Sequence, residues 1–190
     1  MEFDLAGFIL DQWTGIVVFL LGAAGVWLTI RENIWCWPVS LVAVVISIVI
    51  FFDSRLYGDM ALQIFYFFAG LYGWFYWNSN KNKAFVVQRA KLKEAPALIG
   101  ITVLQVLLYY YLLLRFKGEQ PLFDAILTAG SLTVTYMMTK KWLENWLIWV
   151  VIDVAYILLY CIKELWFFAA LSLIMAILAA YGYFKWRKTV

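Results

Sequence analysis

Glu32-Asn33-Ile34-Trp35-Cys36-Trp37 is answered 112 positions later by Glu144-Asn145-Trp146-Leu147-Ile148-Trp149. Downstream of the first block stands Tyr72-Gly73-Trp74-Phe75-Tyr76-Trp77. Downstream of the second, at a spacing shorter by three residues, stands Tyr181-Gly182-Tyr183-Phe184-Lys185-Trp186. An apolar chain that repeats itself in this way reads as two copies of one membrane unit. Paired repeats with a site between them are a common plan for transporters.

Composition supports a membrane solvent. The 190 residues are 66% hydrophobic and 14% charged, with a mean hydropathy of +0.84. A soluble domain of this size cannot hide so much apolar surface. A helix needs about 20 apolar residues to cross the bilayer. Seven such stretches stand out: Trp13–Ile30, Ile34–Phe52, Met60–Trp77, Ala97–Phe116, Leu122–Thr139, Trp146–Ile162 and Leu165–Phe184. The acidic start Met1-Glu2-Phe3-Asp4 lacks the basic region of a signal peptide, so the first segment is expected to be retained.

Charge sets an expected orientation. With the N-terminus outside, Arg31, Lys81, Lys83, Arg89, Lys91, Lys93, Lys140, Lys141, Lys185, Arg187 and Lys188 fall inside. Arg55, Arg115, Lys117 and Lys163 fall outside. Eleven of the 15 basic residues are then cytoplasmic, in keeping with the positive-inside rule. The cluster Lys81–Lys93 is a topology signal, not a nucleic-acid patch. Cys36 and Cys161 lie near opposite faces of the bilayer, too far apart to pair. The chain has no histidine, which excludes histidine metal ligands and proton relays.

The repeats place helices 1–3 and 5–7 in equivalent units. Three is an odd number, so helix 4 must turn the second copy back into a parallel orientation. The expected fold is an all-α integral membrane protein of seven transmembrane helices in a 3+1+3 arrangement. Residues 1–79 form the first triplet, 80–120 a cytoplasmic connector and linker helix, and 121–190 the second triplet.

Polar side chains in a membrane helix face the bundle interior or a water-filled path. At about 100° per residue, Asn145, Trp149, Asp153, Tyr156 and Tyr160 share roughly an 80° arc of helix 6. Asn33, Trp37, Ser40 and Ser47 share a face of helix 2. On helix 3, Gln63, Tyr66, Gly70, Gly73, Trp74 and Trp77 do the same. Together these faces suit a flat, polar heterocycle. Each residue also has a plainer reading. Tryptophans near helix ends can sit in the interfacial belt. Asn33 and Asn145 can cap helices, and Gln63 and Tyr66 can bond between helices. Gly70 and Gly73 favour close helix packing. Asp153 is the acid expected deepest in a helix. A lone carboxylate in hydrocarbon is costly, so it must be protonated, hydrated, hydrogen-bonded to a neighbouring helix or paired with a cationic ligand, where aromatic faces add cation–π attraction.

Gln63-x-x-Tyr66, Tyr72-Gly73-Trp74-x-x-Trp77 and Glu144-Asn145-Trp146-Leu147-x-Trp149 together resemble the PnuC family of bacterial vitamin transporters. The resemblance spans nearly the whole chain. It implies a fold related to the SWEET sugar transporters, assembled as a homotrimer in the inner membrane, and a site between the triplets. The polar faces described above supply the residues expected there: Asn33, Trp37, Gln63, Tyr66, Trp74, Asn145, Trp149, Asp153 and Tyr156. It also implies uptake of nicotinamide riboside, thiamine or, in some branches, riboflavin. Transport would be facilitated diffusion, with a cytoplasmic kinase trapping the vitamin and no cofactor. Asp153 stands where nicotinamide riboside members often carry Asn. Nicotinamide riboside and thiamine both hold a fixed positive charge on an aromatic ring, so Asp153 suits either, nicotinamide riboside first.

Two other classes fit less well. A seven-helix retinal protein needs a lysine in the middle of its last helix, and helix 7 has only Lys185, at its end. A membrane enzyme needs a nucleophile–base pair or metal cluster, which this sequence does not offer.

Overall fold

The computed structural model describes residues 5–53, 57–81, 85–115, 120–162 and 164–190. Seven helices run through them: α1 Leu5–Ile30, α2 Cys36–Asp53, α3 Tyr57–Asn80, α4 Ala95–Arg115, α5 Pro121–Thr139, α6 Asn145–Ile162 and α7 Trp166–Arg187. The boundaries fall within three residues of those expected, save that α1 starts at Leu5 instead of Trp13. The acidic start, Phe116, and the cations Arg55, Lys83, Lys117 and Lys163 lie outside the described residues.

Five helices, α1, α2, α4, α6 and α7, are long and apolar enough to cross a bilayer. The other two carry more polar side chains: Gln63, Asn78, Ser79 and Asn80 on α3, and Asp124, Thr128, Ser131, Thr133 and Thr135 on α5. Large apolar residues such as Leu104, Val151 and Ile177 stand more than half exposed. An aqueous surface would not tolerate so many of them. This is a multi-pass membrane protein.

The chain divides into two compact units, Met1–Lys81 and Asn82–Val190. In the first, α2 packs against both α1 and α3. In the second, α4 packs along α5, α5 on α6, and α6 on α7. The helix expected as a linker is thus a packed member of the second unit.

The turns are built by one device. Glu32 (φ 54°), Lys141 (φ 53°) and Glu164 (φ 57°) adopt the left-handed conformation just past the ends of α1, α5 and α6. After α1, the Glu32 N–H donates to the Thr29 carbonyl (2.8 Å) and the Asn33 N–H to Leu28 (2.9 Å). After α5, Lys141 donates to Met138 (2.9 Å) and Trp142 to Met137 (3.1 Å). After α6, Glu164 donates to Cys161 (3.1 Å) and Leu165 to Tyr160 (2.8 Å). This paired pattern is the Schellman motif, which satisfies the last carbonyls of a helix and usually employs glycine.

These geometries recur at one interval. α1 and α5 stop at Ile30 and Thr139, α2 and α6 start at Cys36 and Asn145, and α3 and α7 start at Tyr57 and Trp166. Each pair is 109 positions apart. The same interval relates Arg31 over the Trp27 ring (5.0 Å) to Lys140 over the Tyr136 ring (5.5 Å). The pairing of Glu32–Trp37 with Glu144–Trp149 at 112 positions is therefore out of step with the local structure. At the structural interval, Trp37 corresponds to Trp146, Asn145 to Cys36, and Asp153 to Val44. Shared Glu-Asn letters set the first pairing, whereas helix ends set the second.

Candidate functional site

Two residues of the expected α6 face sit in an apolar cluster. Trp149 and Tyr156 are partly buried and pack against Leu127 and Val134 of α5 and Ile152 of α6. Tyr156 stacks on Tyr160 one turn later, with centroids 5.8 Å apart and planes 17° from parallel. Tyr160 in turn meets Phe168 of α7 at 5.6 Å. Asp153 lies between Trp149 and Tyr156 on this face. It is partly buried, and no described residue supplies it with a counter-charge.

At the start of the same helix, Asn145 is completely buried. Its amide Nδ2 donates to the Trp142 carbonyl, while its Oδ1 has no partner among the described residues. The indole N–H groups of Trp146 and Trp149 are likewise buried and unpaired. An unmatched buried polar group typically costs about 1–3 kcal/mol. Trp149 packs on the α5 side of α6 and Trp146 on the α7 side, so these groups are spread over two faces of the helix.

In the first unit the expected residues separate into two groups. Trp37 is buried, stands against Gly73 of α3, and meets Trp77 edge-on at 5.6 Å and 87°. Its ring is core between α2 and α3, leaving one buried, unpaired indole N–H. Gln63 and Tyr66 are partly buried on α3, whereas Trp74 is 37% exposed and stacks on Phe75. Asn33 lies outside the helices, exposed. Its Oδ1 accepts the Trp35 N–H at 3.0 Å and its carbonyl accepts Cys36 N–H at 3.0 Å. Neither asparagine flanks a helix as its N-cap: Asn33 closes a turn ahead of α2, which starts at Cys36, and Asn145 sits inside the first turn of α6. Ser47, also expected on the α2 face, donates back to the Ala43 carbonyl at 2.9 Å. Cys36 and Cys161 are not joined in a disulfide.

Sequence reasoning passed over Trp146. It repeats in the second unit what Trp37 does in the first: it stands against Gly182 and meets Trp186 edge-on at 5.2 Å and 84°. The signal was present as the three-residue difference between the two block spacings. A single interval of 109 aligns Trp37 with Trp146, Gly73 with Gly182 and Trp77 with Trp186.

Comparison with known proteins gives a consistent result. A family model described as nicotinamide mononucleotide transporter matches residues 12–188. The chain is 24% identical over 203 residues to the nicotinamide riboside transporter PnuC of Escherichia coli (strain K12), covering 92% of this chain and 85% of that one. It is 28% identical over 152 residues to the riboflavin/roseoflavin transporter RibM of Streptomyces davaonensis, covering 74% and 68%. The crystal structure of the vitamin B3 transporter PnuC superimposes with a TM-score of 0.76 at 20% identity, over 95% of this chain and 83% of that one.

Proposed function

The chain belongs to the nicotinamide mononucleotide transporter family, and from that premise we propose that it takes up a cationic, water-soluble vitamin, nicotinamide riboside first. The observation that carries this reading is Asp153. A half-buried carboxylate for which no described residue supplies a counter-charge, on the helical face that also carries an indole and two phenols, suits a ligand with a positive aromatic ring. The ring charge would offset the carboxylate, and the aromatic faces would add cation–π attraction. Thiamine meets the same chemical demand.

On this reading the vitamin contacts Asn145, Trp149, Asp153 and Tyr156 of the second unit. All seven helices cross the membrane in a 3+1+3 plan, N-terminus outside and C-terminus cytoplasmic, and the protein assembles as a homotrimer in the inner membrane. The constant interval of 109 residues between equivalent helix ends supports two parallel triplets. The triplets alternate between outward and inward access, and the vitamin moves down its gradient. A cytoplasmic kinase then traps it without needing to bind the transporter. The protein performs no catalysis.

A second reading has one observation in its favour, the likeness to the riboflavin/roseoflavin transporter over 74% of this chain. Riboflavin is neutral and leaves Asp153 without a partner. Quenching of tryptophan fluorescence by nicotinamide riboside, thiamine and riboflavin, titrated side by side, decides between them. Saturation by either cation supports the proposal. Saturation by riboflavin alone keeps the transporter and removes the role given to Asp153.

A further inference from the structure

A cavity of about 350 Å³ lies in the second unit, mainly between α4 and α5, and Ile148 of α6, next in sequence to Trp149, also lines it. Leu98, Ile99, Thr102 and Val103 of α4 form one wall, and Gly130, Thr133 and Met137 of α5 form the other. Its volume is in the range of small-molecule sites, yet its chemistry is wrong for a polar vitamin. The two threonine hydroxyls satisfy each other at 2.7 Å, and Thr102 also reaches the Leu98 carbonyl at 2.8 Å. What remains for an occupant is hydrocarbon. The α4 wall contains no buried residue, and Ile99 and Val103 are 64% and 52% exposed. The groove therefore opens on the exposed, apolar side of α4.

One end of the groove is different. Ala90, Lys91 and Ala95 close it, and Lys91 is exposed between the exposed cations Arg89 and Lys93, so that three cations stand against the two acids Glu94 and Glu144. This segment is held in place by the turn between α5 and α6. The Gln88 N–H donates to the Lys141 carbonyl (3.0 Å), the Leu143 N–H donates to the Gln88 carbonyl (2.9 Å), and the Ala90 N–H donates to the Glu144 carboxylate (2.7 Å). An apolar trough that ends at a fixed cationic segment has the chemistry of a lipid seat.

We propose that the groove between α4 and α5 holds one acyl chain of an anionic phospholipid, with its phosphate on Lys91. The apolar wall sets the chain, and the charge of the 89–93 segment sets the preference for an anionic headgroup. The site rests on α4 crossing the bilayer and not on which vitamin is carried, so its failure and the failure of the transport reading are separable.

The test is native mass spectrometry of the full-length protein with dioleoylphosphatidylglycerol and dioleoylphosphatidylcholine in competition. The wild type should retain phosphatidylglycerol several-fold over phosphatidylcholine. Lys91→Ala should lower that preference at least twofold while leaving phosphatidylcholine retention unchanged. Val103→Trp, which fills the groove from its exposed wall, should remove retention of both, with vitamin binding intact as a check of folding. Equal retention of the two lipids by the wild type would overturn the proposal. So would unchanged phosphatidylglycerol in Val103→Trp, or a shift of that variant to a smaller assembly with lipid retained, which would make a second copy of the chain the true cover of the groove.

Discussion

Trp146 stands against Gly182, with three indole atoms 2.8 Å from the point a Cβ on that glycine would occupy. Trp37 stands in the same relation to Gly73. In both units a tryptophan from the first turns of one helix lies where the next helix has no side chain, and meets a second tryptophan one turn on. A ring bound by packed neighbours on both sides cannot give way cheaply.

Gly182→Ala and Gly73→Ala should therefore each destabilise the protein by about 1–3 kcal/mol through overpacking. Thermal unfolding in detergent, followed by near-ultraviolet circular dichroism, reads the loss directly. Gly15 and Gly100, whose added Cβ atoms would meet nothing, are the controls. Their alanine variants should unfold at or slightly above the wild-type temperature, since alanine is the better helix former.

The turn after α6 offers a change in the opposite direction. Glu164 is exposed and holds a left-handed backbone at φ 57°, a conformation that strains any residue with a Cβ by about 1–2 kcal/mol. Glu164→Gly should raise the melting temperature, and Glu164→Ala should not. A fall for the glycine variant would mean the turn tolerates its strain at no cost.

The segment 85–90 should behave as a clasp on the α5–α6 turn. Lys141 is buried, donates through Nζ to the Phe85 carbonyl at 3.0 Å and lies 4.8 Å from the centroid of the Phe85 ring. Glu144 holds Ala90 from the other side. Hydrogen bonds to charged groups contribute about 1.5–3 kcal/mol. Glu144→Ala should speed amide hydrogen exchange at Gln88, Ala90 and Leu143, and leave the cores of α1 and α2 unchanged. Exchange unaltered at Ala90 would show that the carboxylate is dispensable.

Much of this was legible in the sequence, for reasons specific to each feature. Long apolar runs located the helices because a bilayer imposes one length. The shared face of Trp149, Asp153 and Tyr156 was legible because helical periodicity is regular. The register between the two blocks was not, since Glu-Asn identity outweighed helix ends that only backbone geometry reveals. Lys141 read as one more cytoplasmic charge, although it is buried. Its partner is a backbone carbonyl 56 residues away, and a single isolated bridge such as Gln88 with Trp142 has no periodicity to announce it. The lipid-sized groove beside α4 was invisible for the same reason.

Asp153 provides the sharpest test of the substrate class. Asn preserves the size and hydrogen-bonding capacity of the side chain and removes only its charge. If the carboxylate offsets a cationic ring, Asp153→Asn should weaken nicotinamide riboside and thiamine by about tenfold or more, equivalent to about 1.4 kcal/mol. A neutral analogue of the same shape should be nearly unaffected. The comparison controls for misfolding, because a damaged site loses all ligands together. Equal losses across charged and neutral ligands, measured by tryptophan quenching, would reduce Asp153 to a structural hydrogen-bonding group.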